Sequence, residues 1–201
     1  MRRREFIKAL GVAGVVASAT VVRGQQSAAP LIGFLSSRSP GESASLVDAF
    51  RQGLRQTGFI EGQNLAIAFR WAEARYDKLP GLASELVSLP VTLLFTAGGP
   101  PAAFAAKGAT STIPVVFSAV SDPVDIGLVP SLNQPGGNIT GMGVFNASLA
   151  AKRVELMKEL MPSVAVMGYL LNPATGRGEI ESGSVLAASR ALGIALRVLN
   201  A

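Results

Sequence analysis

Short apolar segments alternate with amphipathic helices along this chain, and that alternation is the strongest constraint on its fold. Residues 31–35 (LIGFL) are a continuous apolar run, the pattern of a strand that is buried on both faces of a sheet. Residues 43–57 are predicted to form an amphipathic helix. The apolar face of this helix consists of Leu46, Val47, Phe50 and Leu54. Further strands are predicted at residues 65–71, 91–96, 114–118 and 138–144, and helices at 78–89, 102–109 and 126–132. Because single helices separate the strands, we expect an α/β fold built on an open parallel sheet.

Three loops at the carboxyl ends of the predicted strands are the candidate ligand-binding segments, since open parallel sheets bind ligands there, where the strand order reverses. These loops span residues 36–40, 97–101 and 119–123. Gly98 and Gly99 would let a ligand approach the backbone and reach N–H groups of the helix that starts near Pro101. The other candidate ligand groups are Ser118, Ser121 and Asp122. The alternative is that these residues are ordinary helix caps and turn formers.

The chain contains neither cysteine nor histidine, and this excludes much of catalytic chemistry. Without them there is no disulfide framework, thiolate nucleophile, imidazole base or Ser-His-Asp relay. Residues 25–201 contain no paired-acid cluster and no calcium-loop spacing. Neither a dinucleotide-binding G-x-G-x-x-G motif nor a phosphate-binding G-x-x-x-x-G-K-[ST] motif is present. We therefore predict a protein that is not an enzyme and that uses no metal ion or cofactor.

The first 24 residues have the pattern of a twin-arginine export signal. Arg3 and Arg4 are followed by Phe6 and Lys8, and a run of 14 mostly small and apolar residues then fills positions 9–22. A membrane-spanning helix needs about 20 residues, so this run is too short for a permanent membrane anchor. We predict recognition by the twin-arginine export machinery, cleavage after Gly24 and a periplasmic location. An uncleaved signal anchor is the alternative.

The export signal also explains the basic character of the chain, which is formally +5. Residues 1–24 hold five of the 18 basic and one of the 13 acidic residues, so residues 25–201 have 13 basic and 12 acidic residues, a net charge of +1. Apart from the adjacent Lys152 and Arg153, the remaining Lys and Arg are scattered singly, without a stripe or interleaved aromatic residues. We therefore predict no nucleic-acid partner.

Five segments together resemble one family. They are residues 31–36 (LIGFLS), 96–103 (TAGGPPAA), 121–124 (SDPV), 133–141 (NQPGGNITG) and 150–160 (AAKRVELMKEL). In these segments the chain resembles the exported substrate-binding proteins of ABC transporters, in the branch named for tryptophan and tyrosine transport. The resemblance runs from Pro30 to the end of the chain, and its last two segments are the most specific.

The resemblance implies a periplasmic binding protein fold of type I, with two Rossmann-like lobes and a small-molecule ligand in the cleft between them. Closure of the lobes would present the ligand to the permease of an ABC transporter. Some relatives resemble carriers of aromatic amino acids, and many have no known ligand. By motif match in the first lobe, and by position at a strand end for the last residue, the implied ligand-binding residues are Ser36, Ser37, Gly98, Gly99, Ser121, Asp122 and Asn172.

The length of the chain departs from the family. Residues 30–146 suffice for a complete first lobe of five strands, whereas residues 147–201 supply only part of a second lobe. In this second part, strands are predicted at 165–171 and 195–199, a helix at 184–192, and a first helix with Leu149, Leu156, Met157 and Leu160 inward. Since two strands with bare apolar faces do not make a stable layer, we expect an apparently truncated second lobe.

Three functions remain to be compared. The first is a solute-binding protein of an ABC importer that carries a small molecule such as an amino acid. The second is a periplasmic sensory or partner-binding module with the same fold and no transport role, and a neighbouring permease or sensor-kinase gene would separate these two. The third is an exported enzyme, which the absence of a base with a near-neutral pKa argues against.

Overall fold

The computed structural model describes residues 29–145, 149–173 and 178–200, and these residues form two parallel β-sheets. The predicted export-signal residues Arg3, Arg4, Phe6 and Lys8 and the cleavage point after Gly24 lie outside the described residues. The strands are β1 (Leu31–Ser36), β2 (Ala66–Trp71), β3 (Leu93–Ala97), β4 (Val115–Ser121), β5 (Ile139–Val144), β6 (Val166–Leu171) and β7 (Ala195–Asn200). The helices are α1 (Ala44–Gln56), α2 (Leu79–Val87), α3 (Pro100–Ala109), α4 (Ala150–Leu160) and α5 (Gly178–Ala191).

The first sheet has five parallel strands in the order β2-β1-β3-β4-β5, which confirms the predicted α/β fold. The chain passes from β1 to β2 on one side and then places β3 on the other side of β1. This reversal brings the carboxyl ends of β1 and β3 together, and Ser36 at the end of β1 pairs with Ala97 at the end of β3. The crevice between these two strand ends is therefore the topological position at which such sheets bind ligands.

The two faces of the first sheet are packed differently because successive side chains of a strand point to opposite faces. On one face, Leu35, Leu94 and Val115 lie in the main core together with buried residues of α2 and α3. On the other face, Phe34 is only 2% exposed and α1 packs through Val47. Four aromatic rings surround Phe34 at centroid distances of 5.0 to 5.5 Å: those of Phe50, Phe69, Trp71 and Phe95.

The prediction that Leu46 belongs to the inward face of α1 is wrong, since its side chain is 51% exposed. Adjacent helical residues are about 100° apart around the axis, and Val47, not Leu46, occupies the direction that faces the sheet. Phe50 and Leu54 are partly buried, as the pattern predicts. Leu46 instead borders the cleft described below.

Strand β4 continues to Ser121, three residues beyond its predicted end. Its pairing with β5 shifts between Phe117 and Val120, and Ala119 within this bulge has a φ of 52°. On the neighbouring strand, a Cβ atom at Gly141 would overlap the carbonyl oxygen of Phe117. The close approach of the two strands therefore requires glycine at this position.

The helix predicted at residues 126–132 is wrong, because the structure forms turns over residues 123–127 instead. The N–H groups of Leu128 and Val129 both donate to the carbonyl oxygen of Pro123, at 2.9 and 3.1 Å. Pro130 follows and has no N–H group with which to continue the pattern. The hydrogen bonds therefore close a turn and do not propagate into a helix.

The second sheet consists of β6 and β7, which pair in parallel along their whole length as the sequence predicts. Ala150 and Val154 of α4 and Val185 of α5 form its buried core. The prediction of an inward face for α4 made of Leu149, Leu156, Met157 and Leu160 is wrong, since these residues are 41% to 78% exposed. The buried positions of α4 are one turn apart, at Ala150 and Val154, and Leu156 lies about 200° around the axis from Val154.

The opposite face of the second sheet is apolar and exposed. Leu170 of β6 pairs with Leu199 of β7, and these side chains are 69% and 54% exposed. Val166 is exposed as well. Within the described part of the chain, no helix is both long enough and apolar enough to cross a membrane.

Candidate ligand-binding cleft

The loops that follow β1 and β3 are joined directly at the reversal of strand order. The hydroxyl of Ser37 donates a hydrogen bond of 2.6 Å to the carbonyl oxygen of Gly98, and the N–H of Ser37 donates to the carbonyl oxygen of Ala97 at 3.3 Å. Gly98 has a φ of 86°, and a Cβ atom there would overlap the Ser37 hydroxyl. Two of the predicted ligand-binding loops thus form one local structure.

A cleft of about 450 Å³ opens beside this junction, on the face of the sheet that α1 covers. Its lining residues are Phe34, Arg38, Leu46, Phe50, Phe95, Ala97, Gly98, Gly99, Pro100, Pro101, Ser118, Ala119 and Met142. The rings of Phe50 and Phe95 lie 4.4 Å apart between centroids and form an aromatic part of the wall. The volume lies within the range of about 300–1,000 Å³ that is typical of small-molecule sites.

Gly99 leaves open space in the wall of this cleft. It has a φ of 98°, and no atom lies within 4 Å of the position that its Cβ would occupy. The sequence also predicts that N–H groups at the start of the following helix are free to bind a ligand. However, α3 begins at Pro100, and neither Pro100 nor Pro101 has an N–H group, so this helix start offers fewer donors than expected.

The remaining predicted residues of the first lobe are buried and differ in what they border. Ser36 is fully buried, and its hydroxyl accepts a hydrogen bond from the N–H of Arg38 at 3.1 Å. Ser37, also buried, borders an adjoining cavity of about 410 Å³ that shares Arg38 and Gly98 with the cleft. Ser121 is buried at the end of β4. Ser37 therefore borders one of these two spaces, whereas Ser36 borders neither.

Asp122 and Asn172 lie apart from this cleft. Asp122 is 7% exposed, has a φ of 44°, and borders a separate cavity of about 570 Å³ together with Asp125 and Asn133. Its N–H donates to the carbonyl oxygen of Val144 at 3.0 Å. Asn172 follows β6 of the second sheet and is exposed. Their roles in ligand binding stay predictions.

Strained backbone is concentrated where the strands of the first sheet end. Among the described residues, four that are not glycine have a left-handed φ: Glu73, Ala74, Ala119 and Asp122. The first two follow β2, and the other two lie at the end of β4 and just after it. Such residues cost about 1–3 kcal/mol each and cluster at ligand sites. The carboxyl edge of the sheet therefore has the features of a functional surface.

The titratable groups with shifted pKa values lie outside the cleft lining. The pKa of Glu42 is lowered mainly by the hydrogen bond from the Ser39 N–H and then by that from the Ser39 hydroxyl. The pKa of Arg51 is raised by its hydrogen bond to Glu61, which is unrelated to the cleft. Within the described residues, no cluster of three or more acidic groups could hold a metal ion.

A further apolar cavity of about 420 Å³ lies in the second sheet region. It is bordered by Val154, Met157, Met167, Tyr169 and Leu196, several of which pack against the small core of that region. It lies between α4 and the sheet, and polar groups at a strand end do not converge on it as they do at the first cleft.

The fold agrees with comparisons to known proteins. The family described as ABC transporter substrate binding protein matches residues 39–196, which is most of the chain. The chain therefore belongs to the ABC transporter substrate-binding protein family. This family assignment confirms the resemblance seen in the sequence.

Individual relatives point the same way. A tyrosine-binding protein of Clostridioides difficile (strain R20291) is 35% identical over 136 residues, which are 68% of this chain and 39% of that protein. A conserved domain protein of Vibrio cholerae has a crystal structure with a TM-score of 0.77 and 28% identity. An ABC domain from Streptococcus pneumoniae in complex with L-Trp has a TM-score of 0.75 and 27% identity.

Each of the two solved structures is matched over 86% of this chain and 57% of its own. This chain thus spans less than two thirds of the length of these relatives. The shared fold is the α/β fold of type I periplasmic binding proteins, as predicted.

Proposed function

We propose that this chain is the exported solute-binding protein of an ABC importer and that it binds a small molecule, such as an amino acid, in the cleft beside β1 and β3. The observation that carries this proposal is the joined pair of loops at Ser37 and Gly98, which borders an aromatic cleft at the reversal of strand order. Family membership and relatives named for tyrosine and L-Trp support it.

The proposal assigns residues 30–146 to the first ligand-binding lobe and residues 147–201 to part of a second. The ligand would lie between the lobes, and Ser37, Gly98 and Gly99 would form one wall. Asn172, at the carboxyl end of β6, would face the ligand from the second lobe. Binding would favour a closed state that the membrane permease recognises.

The proposed location is the periplasm, reached through the twin-arginine route. The Arg3–Arg4 pair and the short apolar run behind it support this part of the proposal. Cleavage after Gly24 would release the protein without a permanent anchor. Binding without catalytic turnover is proposed as its activity, since the chain has no histidine or cysteine.

The direct test is calorimetric titration of the full chain with L-tyrosine, L-tryptophan and L-leucine, with glucose as a comparison solute. We expect saturable binding of at least one amino acid. Gly99→Val should weaken that binding at least tenfold, because the added side chain would project into the open space of the cleft wall.

Gly58→Val is the matched control for this variant. Gly58 has a φ of 88°, close to the 98° of Gly99, and also has no atom within 4 Å of its Cβ position, but it lies at the far end of α1. Both variants place a β-branched residue at a positive φ, so a loss of binding confined to a folded Gly99→Val variant reports on the cleft. Binding that is equally tight in both variants would remove Gly99 from the site, and no saturable binding by the unmodified chain would refute the proposal.

A further inference from the structure

The cleft lining carries a single charged side chain among the described residues. Among the described residues that border the 450 Å³ cleft, Arg38 is the one with a charged side chain. Arg38 also borders the adjoining 410 Å³ cavity, so its exposed side chain lies where the two spaces meet. In the described part of the chain, no acidic group forms an ion pair with Arg38 within 4.0 Å. Its guanidinium is therefore available to a ligand.

The nearest acidic residue of the same loop is engaged elsewhere. The carboxylate of Glu42 accepts two hydrogen bonds of 3.0 Å from Ser39, one from its N–H and one from its hydroxyl. The positive charge of Arg38 has a smaller effect on the pKa of Glu42 than either of these bonds. The N–H of Arg38 donates to the buried hydroxyl of Ser36, which fixes the backbone from which the side chain extends.

The other common anion site of such a fold is weakened in this chain. A helix N-terminus binds anions through its free N–H groups. Here the first two residues of α3 are Pro100 and Pro101, which have none. An anionic group in the cleft would therefore depend on a side chain, and Arg38 supplies five donors in a planar fork that matches a carboxylate.

Apart from Ser118, the other side chains that line the cleft are apolar, and none of them is acidic. The rings of Phe50 and Phe95 contact each other at 4.4 Å between centroids with a tilt of 31°, and the exposed side chains of Leu46 and Met142 extend the apolar surface. The described lining contains no carboxylate that could pair with a ligand ammonium group. The wall thus offers a partner for a carboxylate and for an apolar body, and none for a positive charge.

We propose that Arg38 determines specificity by binding the carboxylate of the ligand, and that the cleft accepts aromatic and other apolar carboxylates whether or not they carry an α-amino group. This inference rests on the proposed function and changes its ligand class from amino acids to aromatic and other apolar carboxylates.

The test is calorimetry of the full chain with four probes of one skeleton: 3-phenylpropionate, its neutral amide 3-phenylpropionamide, L-phenylalanine and 2-phenylethylamine. We expect 3-phenylpropionate to bind about tenfold or more tightly than the amide, since a charge-assisted bidentate pair is lost in the amide. L-phenylalanine should bind within about threefold of 3-phenylpropionate, and 2-phenylethylamine should be the weakest probe.

Arg38→Gln should remove the preference for 3-phenylpropionate over its amide and leave the affinity of the amide unchanged. Arg38→Lys should restore part of the preference, because lysine keeps the charge but not the planar fork. Arg55→Gln is the control: Arg55 is an exposed arginine in the last turn of α1, outside the cleft lining, and the preference should persist in this variant.

Three results would overturn the inference while leaving the proposed function intact: equal affinity for the acid and its amide, an unchanged preference in Arg38→Gln, or binding of L-tryptophan without any binding of 3-phenylpropionate. The proposed function itself would fail only if none of the probes and none of the tested amino acids bound saturably. Thermal unfolding of each variant checks that it is folded, and the exposed position of Arg38 makes this the expected result.

Discussion

The hydroxyl of Ser37 donates a hydrogen bond of 2.6 Å to the carbonyl oxygen of Gly98, across 61 residues of sequence. This bond joins the loops that follow two neighbouring strands, and it lies at the mouth of the aromatic cleft. It depends on a glycine at position 98, because a Cβ atom there would overlap the hydroxyl that makes the bond.

Gly98→Ala should therefore destabilise the fold more than a left-handed φ alone explains. Gly62 is the matched position, with a φ of 83° against 86° at Gly98 and no atom within 4 Å of its Cβ. We expect Gly62→Ala to lower the free energy of unfolding by about 1–2 kcal/mol, and Gly98→Ala to lower it by at least about 1 kcal/mol more through overlap with Ser37. Chemical denaturation measures both values, and equal losses would show that the Ser37 contact relaxes freely.

Phe34→Ala should cause a large loss of stability. The Phe34 ring is almost fully buried among four other aromatic rings, so its removal leaves a cavity in the core that α1 covers. We expect the free energy of unfolding to fall by about 3–5 kcal/mol. Phe59→Ala is the control, since Phe59 is exposed and should cost less than about 1 kcal/mol. Similar losses in the two variants would contradict the packing described for Phe34.

The lowered pKa of Glu42 should depend on both hydrogen bonds from Ser39, with a larger contribution from the N–H than from the hydroxyl. Its lowering comes first from the Ser39 N–H and second from the Ser39 hydroxyl, so Ser39→Ala should raise the pKa only part of the way back to its ordinary value. Because the pKa is lowered in the folded state, the associated stability is present above the unfolded-state pKa and is lost as the pH falls through the folded-state value. Carbon-13 NMR titration of the Glu42 carboxyl measures the shift. A full return in Ser39→Ala would assign the whole effect to the hydroxyl.

The bare face of the second sheet should bind hydrophobic dyes and promote association. Leu170 and Leu199 are exposed and directly paired on neighbouring strands. Leu170→Lys with Leu199→Lys should reduce the fluorescence of a hydrophobic dye and raise the monomer fraction, with a change in unfolding free energy within about 1 kcal/mol. Fluorescence and analytical ultracentrifugation measure these effects. Val154→Lys, at a buried position, should instead unfold this region, and equal behaviour of the two variants would contradict the assigned faces.

Export should depend on the arginine pair. Arg3→Lys with Arg4→Lys should abolish periplasmic accumulation if the twin-arginine machinery is used, because the pair is the recognition element. Cell fractionation measures this, and Lys8→Arg is a conservative control that should be exported. Undiminished export of the double variant would indicate the general secretory route.

The sequence alone was sufficient to predict the layers of the first lobe. The apolar run at 31–35 is short and followed by a polar loop, as in a strand buried on both faces, and the apolar residues of 43–57 recur with the 3.6-residue period of a helix. The single helices between strands predict parallel pairing. Parallel pairing in turn places the loops that follow the strands at one edge of the sheet. For the same reason, the Gly98–Gly99 loop could be identified from the sequence as a candidate ligand-binding segment.

Most of the failed predictions concern the direction in which a helical side chain faces. Leu46, Leu156 and Leu160 are apolar and helical, yet they point away from the sheets, because the packed direction of a helix depends on where it lies on the sheet. The predicted helix at 126–132 is replaced by turns, because the N–H groups of Leu128 and Val129 both donate to the carbonyl oxygen of Pro123 and Pro130 has no N–H group with which to continue a helix.

Arg38 shows most clearly what only the tertiary structure decided. In the sequence it is one polar residue in a loop, with nothing to separate it from its neighbours. The strand order places β3 beside β1, and this brings the loop of Arg38 against Gly98 and the rings of Phe50 and Phe95. Local sequence fixes the elements because their hydrogen bonds and periodicity are local. It leaves the lining of the cleft open, since that lining comes from segments about 60 residues apart that meet only when the sheet is assembled.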